Sequence, residues 1–390
     1  MGEPNTAKRT SAVSENALIV SVVAGLIVAQ LTFNLLPMLI GALSQSMDLD
    51  GEQAGLVGSV DMGLLAITAM LVAPVLHRVS LRVLAVWAAS ASLLIQLMSI
   101  FIGEYGLLLA IRGASGIASG VLYAAASAAL ARSAQPDRAY AKMMVGAMIP
   151  TVLMTVSAPY AIESWGLAGA FGTMAAVAAL GLPLLRFIPS EAADRAPIML
   201  DESTDRPVLL RRSSLVLITA HFFIMISFGG LWAFTEQIGV GTGLALDEFG
   251  FTIGLSSIVG TAGAFGAAWL GTRFGRTRPL LISLVATGVL SVAMTNSSHP
   301  FEFILFIVLW SMTWTFISPY VMGAAATLDP NGRLVAAMGG AGMVGVALGP
   351  FVSGWLLQTG GLEAIGFYVL GTTVALSVLL FTLLRRLDRA

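Results

Sequence analysis

The chain has 390 residues, 57% of them hydrophobic and 11% charged, with 20 Lys and Arg against 21 Asp and Glu for a net charge of −1. A soluble domain carries roughly 25% charged residues, so this chain, with a mean hydropathy of +0.89, cannot cover a water-facing surface and belongs in a membrane. Its apolar runs last about 20 residues and lack strand alternation, which points to helices and excludes a barrel.

In chain order, the polar stretch 1–16 resembles no signal peptide. The apolar run after it is too long for a signal core and reads as a retained first span. Twelve spans are predicted, at about 17–42, 53–76, 80–102, 106–131, 141–163, 166–187, 213–238, 250–272, 278–296, 301–327, 334–357 and 362–384. Span 1 holds Gln30 and Asn34, one turn apart on one face. Span 2 follows an acidic turn (Asp50, Glu52) and contains Asp61, a carboxylate well inside a span. Span 4 contains Arg112, with Gly116, Ser119 and Tyr123 on the same helical stripe as a candidate polar groove. Span 5 offers Thr151 and Thr155. The polar connection 188–212 divides the chain into halves at 17–187 and 213–386. Span 7 carries His221, Met225, Phe228, Trp232 and Glu236 on roughly one face, and Glu236, near the outer end, is expected to be solvated. Span 10 places Trp310 and Trp314 one turn apart, either as an aromatic wall for a ring-bearing substrate or as packing.

The connections alternate in charge. Nineteen of the 20 basic residues fall in one set of loops and tails, while the other set holds Asp48, Asp50, Glu52, Glu104, Glu163, Asp247, Glu248, Glu302 and Glu363 and no Lys or Arg. By the positive-inside rule both termini are expected to be cytoplasmic. The exception is Arg112. Counted from the outer edge, Asp61, Arg112 and Asn34 lie at depths that agree within about 3 Å at 1.5 Å per residue. An isolated charge there costs at least about 2.5–3.5 kcal/mol. Pairing Asp61 with Arg112 lowers that cost and creates a site where proton uptake by the aspartate frees the arginine. The alternatives are a static bridge, or two groups that reach the interface separately. His221 is either a proton carrier, given its near-neutral reference pKa, or a hydrogen-bonded core histidine.

A shift of about 195 residues lays Arg78 on Arg273 and Arg138 on Arg333, so the halves look like parallel six-helix repeats around a central cavity. The span 8–9 loop from Ala268 to Arg278 (AWLGTRFGRTR) resembles the GxLaDRxGRR/K loop of the major facilitator superfamily of secondary transporters. Arg273, Gly275 and Arg276 fit, whereas Thr272 stands where the aspartate is usual; the first-half loop keeps little more than Arg78 and Arg82. The resemblance, over roughly 17–386, implies an all-α integral membrane protein of two pseudo-symmetric six-helix bundles. It further implies that Arg78, Arg273, Gly275 and Arg276 belong to a cytoplasmic gate that latches helix ends, the other reading being topology determinants alone. The Arg112-to-Gly116 segment is similar to the family's RxxxG pattern, which implies that Arg112 lies in or beside the cavity and takes part in proton coupling. Span 11, from Gly345 to Gly354 (GVALGPFVSG), resembles a drug-antiporter pattern but stands in the wrong half, and reads as a kinked helix packed through small residues.

Two transport functions follow. One is a proton-coupled carrier of a small organic anion, carboxylate or aromatic, by rocker-switch alternating access. Asp61, Arg112 and His221 would handle protons, and Gln30, Asn34, Arg112, Tyr123, Thr151, Phe228, Trp232, Trp310 and Trp314 would line the substrate cavity. The other is an efflux antiporter for lipophilic compounds with Asp61 as a shared proton and cation site. An enzyme would need clustered ligating or catalytic groups, and the three histidines stand far apart in sequence. The absence of cysteine excludes thiolate metal sites. No cofactor, metal or nucleic acid is expected; the partners are a small molecule, protons and membrane lipid. The expected form is a monomer in the bacterial cytoplasmic membrane.

Overall fold

The computed structural model describes residues 15–133, 136–190, 208–329 and 331–388. The expected tail 1–16, save its last two residues, and most of the expected linker 188–212 lie outside the described residues. Among the described residues, eleven helices are long and apolar enough to cross a membrane: Glu15–Met47 (span 1), Gly51–Arg78 (2), Leu81–Ser99 (3), Tyr105–Ala131 (4), Arg138–Trp165 (5), Leu167–Phe187 (6), Arg212–Ala233 (7), Leu246–Leu270 (8), Thr277–Thr295 (9), Pro300–Leu328 (10) and the 55-residue Arg333–Leu387. A straight helix of that last length would run about 80 Å, far beyond a hydrocarbon core of about 30 Å. Gly361, at φ 71, turns the chain back and divides it into spans 11 and 12. The result is twelve crossings in two six-helix bundles around a central cavity.

Local chemistry explains where several helices begin. Asp50 accepts a hydrogen bond from the Gln53 N–H (2.8 Å) while the Gln53 side chain accepts from the Asp50 N–H (3.3 Å), a capping box at the head of span 2. Glu104 accepts from the N–H groups of Gly106 (2.8 Å) and Leu107 (2.6 Å) at the head of span 4. These backbone bonds hold the Glu104 carboxyl below its ordinary pKa. The acidic loops therefore also serve as N-caps in the favourable field of the helix dipole.

Spans 1 and 7 are both broken, at Gln30 (φ −109, ψ 20) and at Phe234 (φ −107, ψ 8). Equivalent spans thus bend by nearly the same dihedrals. Beyond its break, span 7 continues as a short helix, Thr235–Gly241.

The halves close on each other toward the face that carries the acidic loops. There Gly354 of span 11 lies against the Gly51 carbonyl of span 2, and Gly250 of span 8 lies against Thr155 and Pro159 of span 5. Ser59 accepts from the Phe351 N–H at 3.0 Å, and Trp232 Nε1 donates to the Phe33 carbonyl at 3.0 Å. Small residues let backbones approach in this way, and in lipid such packing replaces the hydrophobic drive. Toward the basic face, spans 2 and 11 touch at Met70 and Gly340. The span 11 glycines pack as expected, with Gly345 against the Phe222 carbonyl and Gly349 against the Ile226 carbonyl of span 7.

A Cβ at Gly354 would collide with the Gly51 carbonyl, so Gly354→Val should hold the acidic face open. Because the chain has no native cysteine, Ser44→Cys, which sits where spans 1 and 7 meet on the same face, is a unique reporter of its opening. Its labelling by a membrane-impermeant maleimide should rise severalfold in the Gly354→Val background; unchanged labelling would show that the Gly354–Gly51 contact does not hold the face closed.

Candidate functional site

The buried polar centre of the N-terminal bundle is built on Arg112. Its Nε donates to Asp61 Oδ2 at 2.9 Å and its Nη2 to the same oxygen in an ion pair. Nη1 donates to Gln96 Oε1 at 2.8 Å and Ser99 Oγ at 3.5 Å, and Nη2 also donates to Thr32 Oγ1 at 3.3 Å and to Ser115 Oγ. Thr32 Oγ1 in turn donates to Asp61 Oδ2 at 2.9 Å. The guanidinium lies 5.3 Å from the Phe171 ring centroid, a cation–π contact. Arg112 is 0% and Asp61 1% exposed, so one ion pair gathers side chains from spans 1, 2, 3, 4 and 6.

This placement changes one expectation. Arg112 is held inside its bundle and is not on the cavity wall, because its donors are taken by Asp61, Gln96, Ser99, Thr32 and Ser115. The expected polar groove along span 4 is a helix seam: Gly116 packs on the Asp61 carbonyl and Gly120 on the Leu65 carbonyl.

The cavity forms instead where the bundles face each other. Its inner chamber, about 180 Å³, is walled by Phe33, Asn34, Thr151, Phe228, Trp232, Trp310 and Trp314, with Thr155, Ile253, Ser256, Ser257, Gly260, Ser311 and Thr315. Phe228 is the centre of the aromatic wall. Its ring lies 3.8 Å from Trp314 and 5.2 Å from Trp310, centroid to centroid, with interplanar angles of 12° and 7°. A second chamber of about 250 Å³ shares Phe33 and adds Gln30, Tyr123, His221 and Met225. A third, about 570 Å³, shares Gln30 and Tyr123 and continues between spans 1, 4 and 5 past Tyr140 and Met144 toward the basic face.

Every expected cavity residue other than Arg112 therefore lines one of these chambers. Sequence reasoning missed Phe33, Ser257, Ser311 and Thr315. Phe33 is one apolar residue among many in its span, and the three hydroxyls carry no distinctive signal, because serine and threonine inside a span ordinarily bond to their own helix. Ser256 and Ser257 do so here, both donating to the Ile253 carbonyl at 2.9 Å. By contrast, the side-chain amides of Gln30 and Asn34 have no protein hydrogen-bond partner among the described residues. They are free donors on the chamber walls. The His221 ring likewise has no hydrogen-bond partner among the described residues, and its Nε2 faces Gly342 of span 11. The hydrogen-bonded core histidine is not what the structure contains.

Two further placements differ from expectation. Glu236 is buried, at 3% exposure, against Gly41 of span 1, so it is not solvated. The arginines assigned to a gate make no side-chain ion pair across the halves among the described residues. Arg78 Nε donates to the neighbouring His77 at 3.2 Å, and Arg273 lies 5.6 Å over the Trp269 ring. The Arg276 N–H (2.7 Å) and the Thr277 N–H (3.0 Å) and hydroxyl (2.6 Å) donate to Asp388, which thereby caps span 9 from the end of span 12. Gly275, at φ 71, leaves the room that this carboxylate occupies. Partial burial works to raise the Asp388 pKa, but the bonds from Thr277 and Arg276 outweigh it and keep the carboxyl below its ordinary value.

A family model described as Major Facilitator Superfamily matches residues 22–331 and 217–390. The Gentisate transporter of Corynebacterium glutamicum is 27% identical over 264 residues, covering 63% of this chain. The match spans only 58% of that relative's length. Among solved structures, a mutant of the nucleoside transporter NupG superposes with a TM-score of 0.75 at 13% identity, over 94% of this chain and 99% of that one. A D-xylose-proton symporter does so with 0.71 at 15% identity, over 92% and 96%. At these identities the structures establish the shared fold.

Removing Asp61 leaves a buried, uncompensated guanidinium, so Asp61→Ala should cost about 3–5 kcal/mol. Arg112→Leu should cost less, because a carboxyl left alone can take up a proton and become neutral. Thermal unfolding in detergent checks this, with the expectation that the Arg112→Leu deficit shrinks as pH falls. Equal costs for the two variants at every pH would show that the network does not depend on its charges.

Proposed function

The chain belongs to the major facilitator superfamily of membrane transporters, and on that premise we propose that it is a proton-coupled secondary carrier of single-ring aromatic carboxylates. The observation that carries this reading is the inner chamber. A cavity of about 150 Å³ is large enough to bind benzene, and this one measures about 180 Å³. Phe228, Trp232 and Trp314 offer faces for offset stacking, worth about 0.5–1.5 kcal/mol per ring pair beyond the area buried. The free amides of Gln30 and Asn34 supply donors for a carboxylate. The similarity to the gentisate transporter, whose name describes an aromatic anion, points the same way.

None of the residues lining the two inner chambers carries a fixed charge. His221 is the group there that gains a positive charge on taking up a proton. In this proposal the proton on His221 offsets the substrate's negative charge, which ties anion occupancy to proton occupancy. Asp61 is the second proton group: its protonation loosens Arg112 and with it the tie between five spans. The antiporter reading would need Asp61 free for a cation, whereas that carboxylate is engaged by Arg112 and Thr32 and is 1% exposed.

The two halves, 17–187 and 213–386, act as the rocking units. With the basic loops in the cytoplasm, the closed acidic face is the outer one and the structure corresponds to an inward-facing stage of the cycle. The protein works as a monomer in the bacterial inner membrane. The direction of travel follows the proton gradient.

Flux into proteoliposomes with internal pH recorded tests this. Benzoate-type anions, gentisate among them, should enter and acidify the lumen, and lipophilic cations should not. Trp314→Ala should lower the apparent affinity tenfold or more. Asp61→Asn should keep substrate binding and lose the linked proton movement. Cation-driven alkalinisation of the lumen would replace this reading with antiport, and intact proton-coupled flux in Asp61→Asn would remove Asp61 from the mechanism.

A further inference from the structure

Three carboxylates are buried among the described residues: Asp61, Glu236 and Asp329. Asp61 is paired with Arg112, and Asp329 accepts from the N–H groups of Leu334 (2.8 Å) and Asn331 (3.2 Å). Glu236 is 3% exposed and its carboxyl has no hydrogen-bond or ion-pair partner among the described residues. It sits on the short helix Thr235–Gly241, just past the break in span 7. Its Oε2 presses on Gly41 of span 1, where a Cβ would collide with it. One residue on, Gln237 Nε2 donates to Ser44 Oγ at 3.5 Å across the same seam. The carboxyl therefore lies in the contact by which the two halves close the acidic face.

We propose that Glu236 is a proton-binding gate group: the acidic face closes with Glu236 protonated, and opening that face hydrates and ionises it. An ionised carboxylate without a partner is far costlier to bury than a neutral carboxyl. Among the described residues the seam brings no Lys or Arg to offset the charge, and the first-turn position of Glu236 on a seven-residue helix is the one favourable contribution. Span 1 brings Gly41 and Ser44 and, at its end, Asp48; span 8 brings Asp247 and Glu248; span 10 brings Glu302, with His299 at its start. The span 7 segment before the break brings no titratable group nearer than His221, about four helical turns away.

Glu236 lines none of the chambers described above, so its proton enters and leaves through the acidic face. It is a gating proton and is not carried across, unlike those assigned to Asp61 and His221. The inference takes from the proposed function only that access alternates. Closing binds one more proton than opening, so the open fraction rises with pH on that face, by up to tenfold per unit.

The test is the labelling rate of Ser44→Cys by an impermeant maleimide, normalised to the exposed Thr359→Cys on the same face to remove thiol ionisation. In the otherwise native chain the normalised rate should rise between about pH 5 and 8. Glu236→Gln, permanently neutral and of the same shape, should label slowly and without pH dependence. Gly41→Ala, which crowds the carboxyl, should label faster at every pH and keep the slope. Substrate-linked acidification per substrate moved should be unchanged in Glu236→Gln. A slope that survives Glu236→Gln overturns the proposal, as does a flat profile in the native background. Loss of proton movement per substrate in Glu236→Gln would make the proton a transported one and overturn the gating assignment. If substrate flux carries no protons at all, the proposed function fails while the labelling still decides this inference.

Discussion

The structure depends on one constraint: a guanidinium held in a layer where water is absent. Arg112 is costly there unless its donors are engaged. Asp61, Thr32, Gln96, Ser99 and Ser115 engage them from four helices. The N-terminal bundle is organised around that requirement. The C-terminal bundle has no comparable pair at the matching positions, Ser256 and Ile307, and organises itself by ring stacking and glycine seams. Charge sits in one half and aromatic surface in the other. The chambers open where they meet.

The segregation of loop charge follows a second constraint. Several acidic-loop carboxylates stand at helix starts, where capping and the dipole favour them. Many basic residues also stand near helix starts, such as Arg82, Arg212, Arg278 and Arg333, where the dipole opposes them. Helix electrostatics cannot account for that asymmetry, whereas a rule tied to the membrane can. The same asymmetry explains why a carboxyl buried at the acidic face finds no cation nearby.

The fold was largely legible because its signals are long-range averages. Twelve spans follow from hydropathy, and the two-bundle plan from the polar connection and the repeated arginines. The observed ends of the first ten spans differ from the expected ones by a few residues, the most at Met47, at Leu246 and at Ala233, where the break in span 7 ends its long helix early. Depth along a helix was also readable: Asp61 and Arg112, expected at one level, are bonded. Rotation about the helix axis was less so. Arg112, Gly116 and Tyr123 were expected to share a groove, yet the first two face span 2 and only Tyr123 reaches the cavity.

By itself, the sequence determined the membrane class, the number of crossings, the separation of basic from acidic loops, and the cost of an arginine that needs a partner. Each of these depends on residue type and on distance along the chain. Tertiary structure alone decided that Arg112 turns away from the cavity, that Gln30 and Asn34 keep free amides on its wall, and that Glu236 is enclosed against Gly41. In lipid, apolar surface faces hydrocarbon and neighbouring helices alike, so composition does not say which side of a helix meets its partner. Close packing of small residues makes that choice, and it exists only once the helices are assembled.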